Sequence, residues 1–277
     1  MATQIKCLFL LLCFPLFVHG QNHWDQVMPE KVAEKKYFVF GENVNLRKSA
    51  SVSSASLLKL QVGEPVSILK KTNELFSSQN TKEYWYEVEA KGKKGFVWGG
   101  LLSDYDVSLG SQQVLIRNLG VAEGKIQIKL VENQKILSQF ELKVGPVSNE
   151  NWSHQLYSGD FFSPNPGKLI GIRYLIFSEI EYAYSEETIF SIDSKQKINK
   201  FFTWTQGGCD PPSCADTWLV FPGETLKEDK SIKRKKYQGE KNTILEVTRS
   251  YNIDDETENS FNTVRYLWNG KHMEEKK

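Results

Sequence analysis

Between residues 43 and 102, apolar and polar positions alternate in short runs that glycine- and serine-rich turns separate. A period of two, with β-branched and aromatic residues, is typical of strands that bury one face. The apolar positions of these runs are Val44, Leu46, Leu58, Leu60, Val66, Ile68, Trp85, Val88, Phe96 and Trp98. The last two runs are joined by a turn at Lys91–Gly95. This pattern predicts a small curled antiparallel sheet.

Four pieces of this stretch, taken in order, resemble the bacterial SH3-like (SH3b) domain family. They are Val44–Arg47, Leu60–Val66, Trp85–Val88 and Gly92–Val97, and Leu101-Leu102 closes the module. One departure is a polar insert at 72–83, which is longer than is usual in the family. The resemblance implies a small barrel at about 37–104 that binds cell-wall peptides or other peptide ligands in an aromatic groove.

The rest of the chain, from 110 to 277, is a succession of strand signals and predicts a larger antiparallel β-domain. Two hairpins are predicted, one with a four-residue connection at Glu132–Lys135 and one pairing Ile244–Tyr251 with Val264–Trp268. Asn149–Lys168, rich in Ser, Asn, Gly and Pro, is interpreted as a long loop. No stretch shows a capped helical period, so the predicted fold class is all-β: an SH3-like small barrel followed by this domain.

The first 20 residues predict a secretory signal peptide with cleavage after Gly20. The apolar run Cys7–Val18 is short for a membrane span, which needs about 20 residues, so no transmembrane segment is expected. Two alternatives stay open, an N-terminal membrane anchor and lipidation at Cys13. Residues 21–36 are polar and are interpreted as a linker. We therefore expect an exported protein of the periplasm, the cell surface or the medium.

Cysteine usage agrees with export. The two cysteines beyond the signal segment, Cys209 and Cys214, are close in sequence and predict a local disulfide bond in an oxidising compartment. Half of a metal site is the competing interpretation, but zinc would need two more ligands. The sequence therefore predicts no metal site and no cofactor.

Charge nearly cancels, with 35 basic and 34 acidic residues, so no overall field favours nucleic acid or an anionic membrane. Nucleic acid is accordingly not an expected partner. The basic cluster Lys233–Lys236 is interpreted either as a patch for anionic polymers or as a charged loop. The acidic run Asp254–Glu258 is interpreted either as a calcium ligand set or as a solvated hairpin tip.

A catalytic constellation needs a nucleophile, a base and an orienting group. Of the four histidines none lies in a recognisable motif, and a dyad of Cys209 with His154 competes with the disulfide. We therefore expect a protein that is not an enzyme.

Aromatic residues of the predicted barrel are the candidate ligand-binding residues: Tyr84, Trp85, Tyr86, Phe96 and Trp98. Alternation places Tyr84 and Tyr86 opposite Trp85, and Phe96 and Trp98 opposite Val97. Aromatic residues of a small sheet serve either as core packing or as the floor of a peptide groove.

These observations predict an exported bacterial protein whose barrel binds a cell-wall peptide or a protein segment without catalysis. One alternative is a surface or envelope structural protein in which the barrel is a spacer. Another is a hydrolase with its site in the C-terminal domain. The sequence assigns neither the ligand nor an oligomeric state.

Overall fold

A computed structural model describes residues 30–78, 81–119, 124–145, 147, 152–176, 184–226, 237–254 and 259–276 of the chain. In these ranges the regular structure is antiparallel strand, apart from one short 3₁₀ helix at Gly99–Leu101. The all-β fold class is confirmed. Within the same ranges no helix has the length and apolar character that crossing a membrane requires. The predicted signal peptide lies outside the described residues.

Six strands of the N-terminal region form one curled sheet with the order β1-β4-β5-β6-β2-β3. They are β1 (Lys36–Phe38), β2 (Val44–Arg47), β3 (Ser56–Leu60), β4 (Pro65–Ser78), β5 (Thr81–Ala90) and β6 (Lys93–Trp98). A bridge between Val39 and Leu102 brings the two ends of the module together. The sheet predicted for 43–102 is therefore present, and we call it the barrel.

Alternation along the strands fills the interior of the barrel, because every second side chain points inward. The buried residues that pack there are Tyr37, Val39, Val44, Leu46, Leu60, Val66, Ile68, Tyr86, Val88, Ala90, Val97 and Leu102. A two-residue turn at Lys91-Gly92, both with positive φ, joins β5 to β6 and is shorter than the turn expected at Lys91–Gly95.

The polar insert is not a separate loop. It lengthens a hairpin, because β4 runs to Ser78 and β5 starts at Thr81. Its strand pairing was hidden in the sequence because most residues of both arms are polar, although two of them on β5, Thr81 and Glu83, are buried. Phe76 contributes an apolar contact, since its ring packs against Trp98 with 5.3 Å between ring centroids.

The second sheet follows directly, in the order β10-β9-β8-β7. Its strands are β7 (Tyr105–Leu109), β8 (Gln112–Asn118), β9 (Lys125–Glu132) and β10 (Lys135–Lys143). The hairpin predicted between β9 and β10 is confirmed, but its connection is two residues, Asn133-Gln134, instead of four. Both have positive φ, as hairpin turns of this length require.

Two larger sheets and a two-stranded ribbon follow in the described part of the chain. The third contains β11 (Ser153–Tyr157), β12 (Lys168–Ile176), β13 (Tyr184–Ile192) and β14 (Ile198–Thr205). The fourth contains β15 (Gly207–Asp210), β16 (Ser213–Val220), β19 (Thr243–Asn252), β20 (Asn259–Trp268) and β21 (Met273–Lys276). A two-stranded ribbon, β17 (Thr225–Leu226) with β18 (Tyr237–Gln238), lies between β16 and β19 in sequence.

The final hairpin is confirmed, since Ile244 lies opposite Tyr266 in the β19–β20 pair. The prediction of an unbroken loop over Asn149–Lys168 is wrong, because β11 lies within it and pairs with β12. This strand is at the edge of its sheet and carries mostly polar, exposed side chains, so it has no hydrophobic alternation to reveal it.

The third sheet is buried on both faces. One core lies between it and the second sheet and contains Ile126, Ile128, Ile170, Ile172 and Tyr174. Another core lies between it and the fourth sheet and contains Leu169, Ile189, Phe202, Ile244 and Trp268. Residues of β12 therefore alternate between two hydrophobic layers.

The barrel is in contact with the second sheet. Phe40 and Val62 from the barrel form a small buried cluster with Leu115 and Val131. Lys129 lies beside them, and its Nζ donates a hydrogen bond of 2.9 Å to the carbonyl of Phe40. The contact thus combines apolar burial with a buried hydrogen bond.

Candidate ligand groove on the barrel

The structure separates the five aromatic candidates by depth. Tyr86, Trp85 and Trp98 keep only 0, 4 and 7 % of their surface exposed. Tyr84 and Phe96 are half-buried, and of the five candidates Phe96 is the one that lines a surface groove.

The predicted division of faces holds. Tyr86 and Val97 lie in the barrel core, and Tyr84 packs against it. Trp85 and Trp98 lie directly opposite each other on the other face, as a cross-strand pair. Phe76 covers this pair, and the indole N–H of Trp98 donates to the carbonyl of Glu83 at 3.0 Å. The second face is therefore a packed layer as well.

Phe96 lies in a groove of about 690 Å³ on the surface of the barrel. Its lining residues are Ser49, Ala50, Ser51, Lys70, Lys71, Thr72, Asn73, Glu74, Glu87 and Phe96. One wall is the serine-rich turn after β2, and the other is the irregular middle of β4. The groove is thus assembled from both parts of the module that depart most from regular sheet.

A bulge forms the β4 wall. The β4–β5 register shifts between Lys71 and Leu75, which leaves 72–74 outside the ladder. Thr72 fixes this segment, because its Oγ1 donates to the carbonyl of Trp85 at 2.9 Å and accepts the N–H of Glu74 at 3.1 Å.

Hydrogen bonds fix the opposite wall. Ser54 Oγ accepts the backbone N–H of Ser49 at 2.9 Å, and the Ser54 carbonyl accepts Nη1 of Arg47 at 2.6 Å. Arg47 itself lies opposite Phe96 in the sheet. The turn is therefore held against the strand that carries the aromatic floor.

Charges of both signs line the groove. Lys70 and Glu74 are exposed, and Glu87 is half-buried. Lys71 pairs with Glu30, and its Nζ lies 4.2 Å from the centre of the Tyr84 ring. An aromatic floor with cations and carboxylates around it suits a ligand that carries both amino and carboxylate groups.

A buried ionic cluster lies on the same module, outside the groove. Lys31 Nζ lies 3.1 Å from Glu83 Oε1 and 2.9 Å from Asp104 Oδ1, and all three side chains are buried. The other oxygen of Asp104 accepts the backbone N–H of Asn118 from β8. The cluster therefore connects the segment before β1, the barrel and the second sheet.

Burial and charge act in opposition in this cluster. Burial alone lowers the pKa of Lys31, but Asp104 and Glu83 outweigh it and raise the pKa well above its usual value. Burial raises the pKa of Glu83 above its usual value, although Lys31 acts in the opposite direction. Burial also raises the pKa of Tyr86 to about 12, and its hydroxyl accepts the backbone N–H of Lys31 at 3.0 Å.

Comparison with known families decides what this module is. Residues 42–103 match the bacterial SH3 domain family. The resemblance found in the sequence is thus confirmed. Comparisons of the chain with curated proteins and with solved structures gave no match.

The bacterial SH3 domain suggests, in general terms, a role in binding at the cell wall. Such domains are commonly extracellular. A disulfide bond between Cys209 and Cys214 fits that setting, and the two cysteines face each other across the β15–β16 pair.

The residues considered for catalysis are engaged elsewhere. Cys209 is in the disulfide, and the Nδ1 atom of His154 shares a hydrogen bond of 2.7 Å with the Tyr105 hydroxyl. Among the described residues no group of three or more His, Cys, Asp or Glu side chains has the geometry to hold a metal ion. The basic cluster Lys233–Lys236 lies outside the described residues. Of the acidic run Asp254–Glu258, the structure describes Asp254 alone.

The sequence did not reveal the groove walls or the ionic cluster. Lys31 falls in the segment interpreted as a linker, yet it is buried against a carboxylate 52 positions further along the chain. No local pattern signals such a pairing. One sequence feature could have indicated the bulge in the groove wall: residues 72–74 have a low apolar content and lie between two alternating runs.

Proposed function

We propose that the protein is an exported, non-catalytic binding protein whose SH3 domain holds a cell-wall stem peptide, or a protein segment of similar chemistry, in the groove above Phe96. The observation that carries this proposal is the groove itself. It combines a reachable aromatic floor with lysines and carboxylates at its sides, on a domain whose family suggests binding at the cell wall.

The chemistry of a stem peptide agrees with this lining. Such a peptide presents free carboxylates and amines within a short extended chain. Lys70 can pair with a carboxylate of the ligand, and Glu74 and Glu87 can pair with an amine, while an aliphatic side chain covers Phe96. Affinity is expected to come mainly from the desolvated aromatic contact, since exposed ion pairs contribute little.

Binding of soluble cell-wall fragments should weaken when the groove is altered. We expect Phe96→Ala to raise the Kd of a muramyl peptide about tenfold or more, because the floor is lost. Lys70→Glu should raise it about two- to fivefold, since Lys70 is exposed. Isothermal titration calorimetry on the full exported chain measures both effects.

Lys93→Glu is the matched control, because it makes the same charge reversal on the same domain at an exposed position outside the groove. It should leave the Kd unchanged. Circular dichroism establishes that each variant is folded. Equal affinities of Lys70→Glu, Phe96→Ala and the native protein would contradict the proposed site, and no saturable binding by the folded native protein would contradict the function.

A further inference from the structure

A second cleft, of about 530 Å³, lies between the third and fourth sheets, far along the chain from the SH3 domain. β11, β12 and β14 form one side, and β16 with the residues after it forms the other. The aromatic members of its lining are Tyr157, Trp204, Trp218 and Phe221. Tyr157 and Phe221 stack on each other with ring centroids 4.2 Å apart.

The charged groups of this cleft are largely satisfied within the protein. Arg173 Nη2 pairs with the buried Glu187 at 3.0 Å, and Asp216 pairs with Arg249. Glu224 is exposed at the edge of the cleft, where its Oε2 accepts the backbone N–H of Phe221 at 3.0 Å. An ionic ligand would therefore have to displace existing partners.

Neutral hydrogen-bonding groups remain for a ligand. Gln155, Gln206 and Thr217 line the cleft, and each is exposed or half-buried. The Thr217 hydroxyl already shares a hydrogen bond of 3.2 Å with the Thr248 hydroxyl, so the side chains of the two glutamines are the ones that remain for a ligand. Within the part of the chain that the structure describes, two buried donors of lining residues have no acceptor, the indole Nε1 of Trp204 and the Nε of Arg173. Trp204 itself is only 7 % exposed.

The hydroxyl of Tyr157 is a fixed feature of the same wall. It donates to Glu187 Oε1 at 2.7 Å. Burial, with the Glu187 carboxylate next to it, raises the pKa of Tyr157 well above its usual value, so the hydroxyl stays protonated. The cleft wall is therefore set by a buried network before any ligand arrives.

Tyr157 and Phe221 cover each other and Trp204 is buried, so the half-buried Trp218 is the lining aromatic that a ligand can reach. One reachable indole combined with neutral donors and acceptors suits a ligand that has apolar C–H faces and many hydroxyl or amide groups. A peptide with free charges would gain little from a wall whose ions are already paired. We propose that this cleft binds a neutral oligosaccharide, with a sugar ring against Trp218 and its hydroxyl or acetamide groups bonded to Gln155 and Gln206.

N-acetylchitotetraose and cellotetraose are suitable probes because both are neutral and contain no peptide. Isothermal titration calorimetry of the full exported chain should show saturable binding of at least one of them. Trp218→Ala should raise the Kd about tenfold or more. Gln155→Ala removes an exposed side chain and should raise the Kd about fivefold.

Gln139→Ala is the matched control, since Gln139 is an exposed glutamine on β10 outside the cleft. It should leave the affinity for the sugar unchanged, and so should Lys70→Glu in the SH3 groove. Loss of sugar binding in Lys70→Glu would overturn the assignment to this cleft. Equal affinity of Gln155→Ala and Gln139→Ala would also overturn it, as would the absence of saturable binding of both sugars by the folded native chain.

Discussion

Replacing Lys31 with methionine should lower the free energy of unfolding by about 3–5 kcal/mol. The substitution keeps the volume of the side chain but removes the cation between Glu83 and Asp104, whose carboxylates stay buried. A buried charge without its partner keeps its full desolvation penalty. Urea unfolding of the native protein and the variant measures the loss.

Lys36→Met is the control, because Lys36 is exposed on β1 and the change should stay within about 0.5 kcal/mol. The double variant Lys31→Met with Glu83→Gln should recover part of the loss, since one of the two carboxylates is then neutral. A loss in Lys31→Met no larger than in Lys36→Met would contradict the role assigned to the cluster.

The stability of Lys31→Met should depend on pH in a direction that the structure defines. The folded pKa of Glu83 is raised by burial, so folding favours the protonated acid once Lys31 is absent. The stability of the variant is then highest below the unfolded pKa of about 4.3, and it falls as pH rises through the folded pKa. In the native protein Lys31 stays charged over this range, because its folded pKa is raised. The difference in free energy of unfolding between the native protein and Lys31→Met should therefore be smaller at acidic than at neutral pH.

Replacing Glu187 with alanine should lower the free energy of unfolding by about 2–4 kcal/mol. Glu187 is buried and accepts hydrogen bonds from Tyr157 and from Arg173. Gly171 on the neighbouring strand makes room for it, since a Cβ there would stand 1.8 Å from Glu187 Oε1. Both donors would lose their partner in the variant, and Arg173 is only one-third exposed.

Glu187→Gln separates charge from shape, because the amide keeps the volume and one carbonyl acceptor. Its loss of stability should be smaller than that of Glu187→Ala. Glu89→Ala, at an exposed position of β5, is the control and should change stability by less than about 0.5 kcal/mol. Thermal unfolding in which Glu187→Ala behaves like Glu89→Ala would contradict the structural role of this network.

Local pattern predicted the barrel because most of its buried positions alternate along single strands. The same rule assigned Tyr86 and Trp85 to opposite faces. It could not show that the face with Trp85 is also packed, since Phe76 comes from the insert and its contact depends on how the hairpin folds over. The number of aromatic residues that a ligand can reach was therefore set by tertiary structure.

Other features could not be predicted from the sequence because they, too, depend on tertiary contacts. β11 is an edge strand, and its polar residues carry no period that distinguishes them from a loop. The second cleft joins Gln155, Arg173 and Asp216 from three different strands, which only the stacking of sheets brings together. Neither the cleft nor the cluster at Lys31 has a motif with fixed spacing.

The third sheet has hydrophobic neighbours above and below, and this bears on how the C-terminal region comes apart. A central layer of this kind cannot be wetted until one of its flanking layers has separated, and that separation exposes a large apolar area at once. Sheets two, three and four should accordingly lose structure together, as a single cooperative unit. The two proposed ligand sites, one on the barrel and one between the third and fourth sheets, would then be held at a constant spacing, which a cell-wall polymer made of sugar and peptide could span.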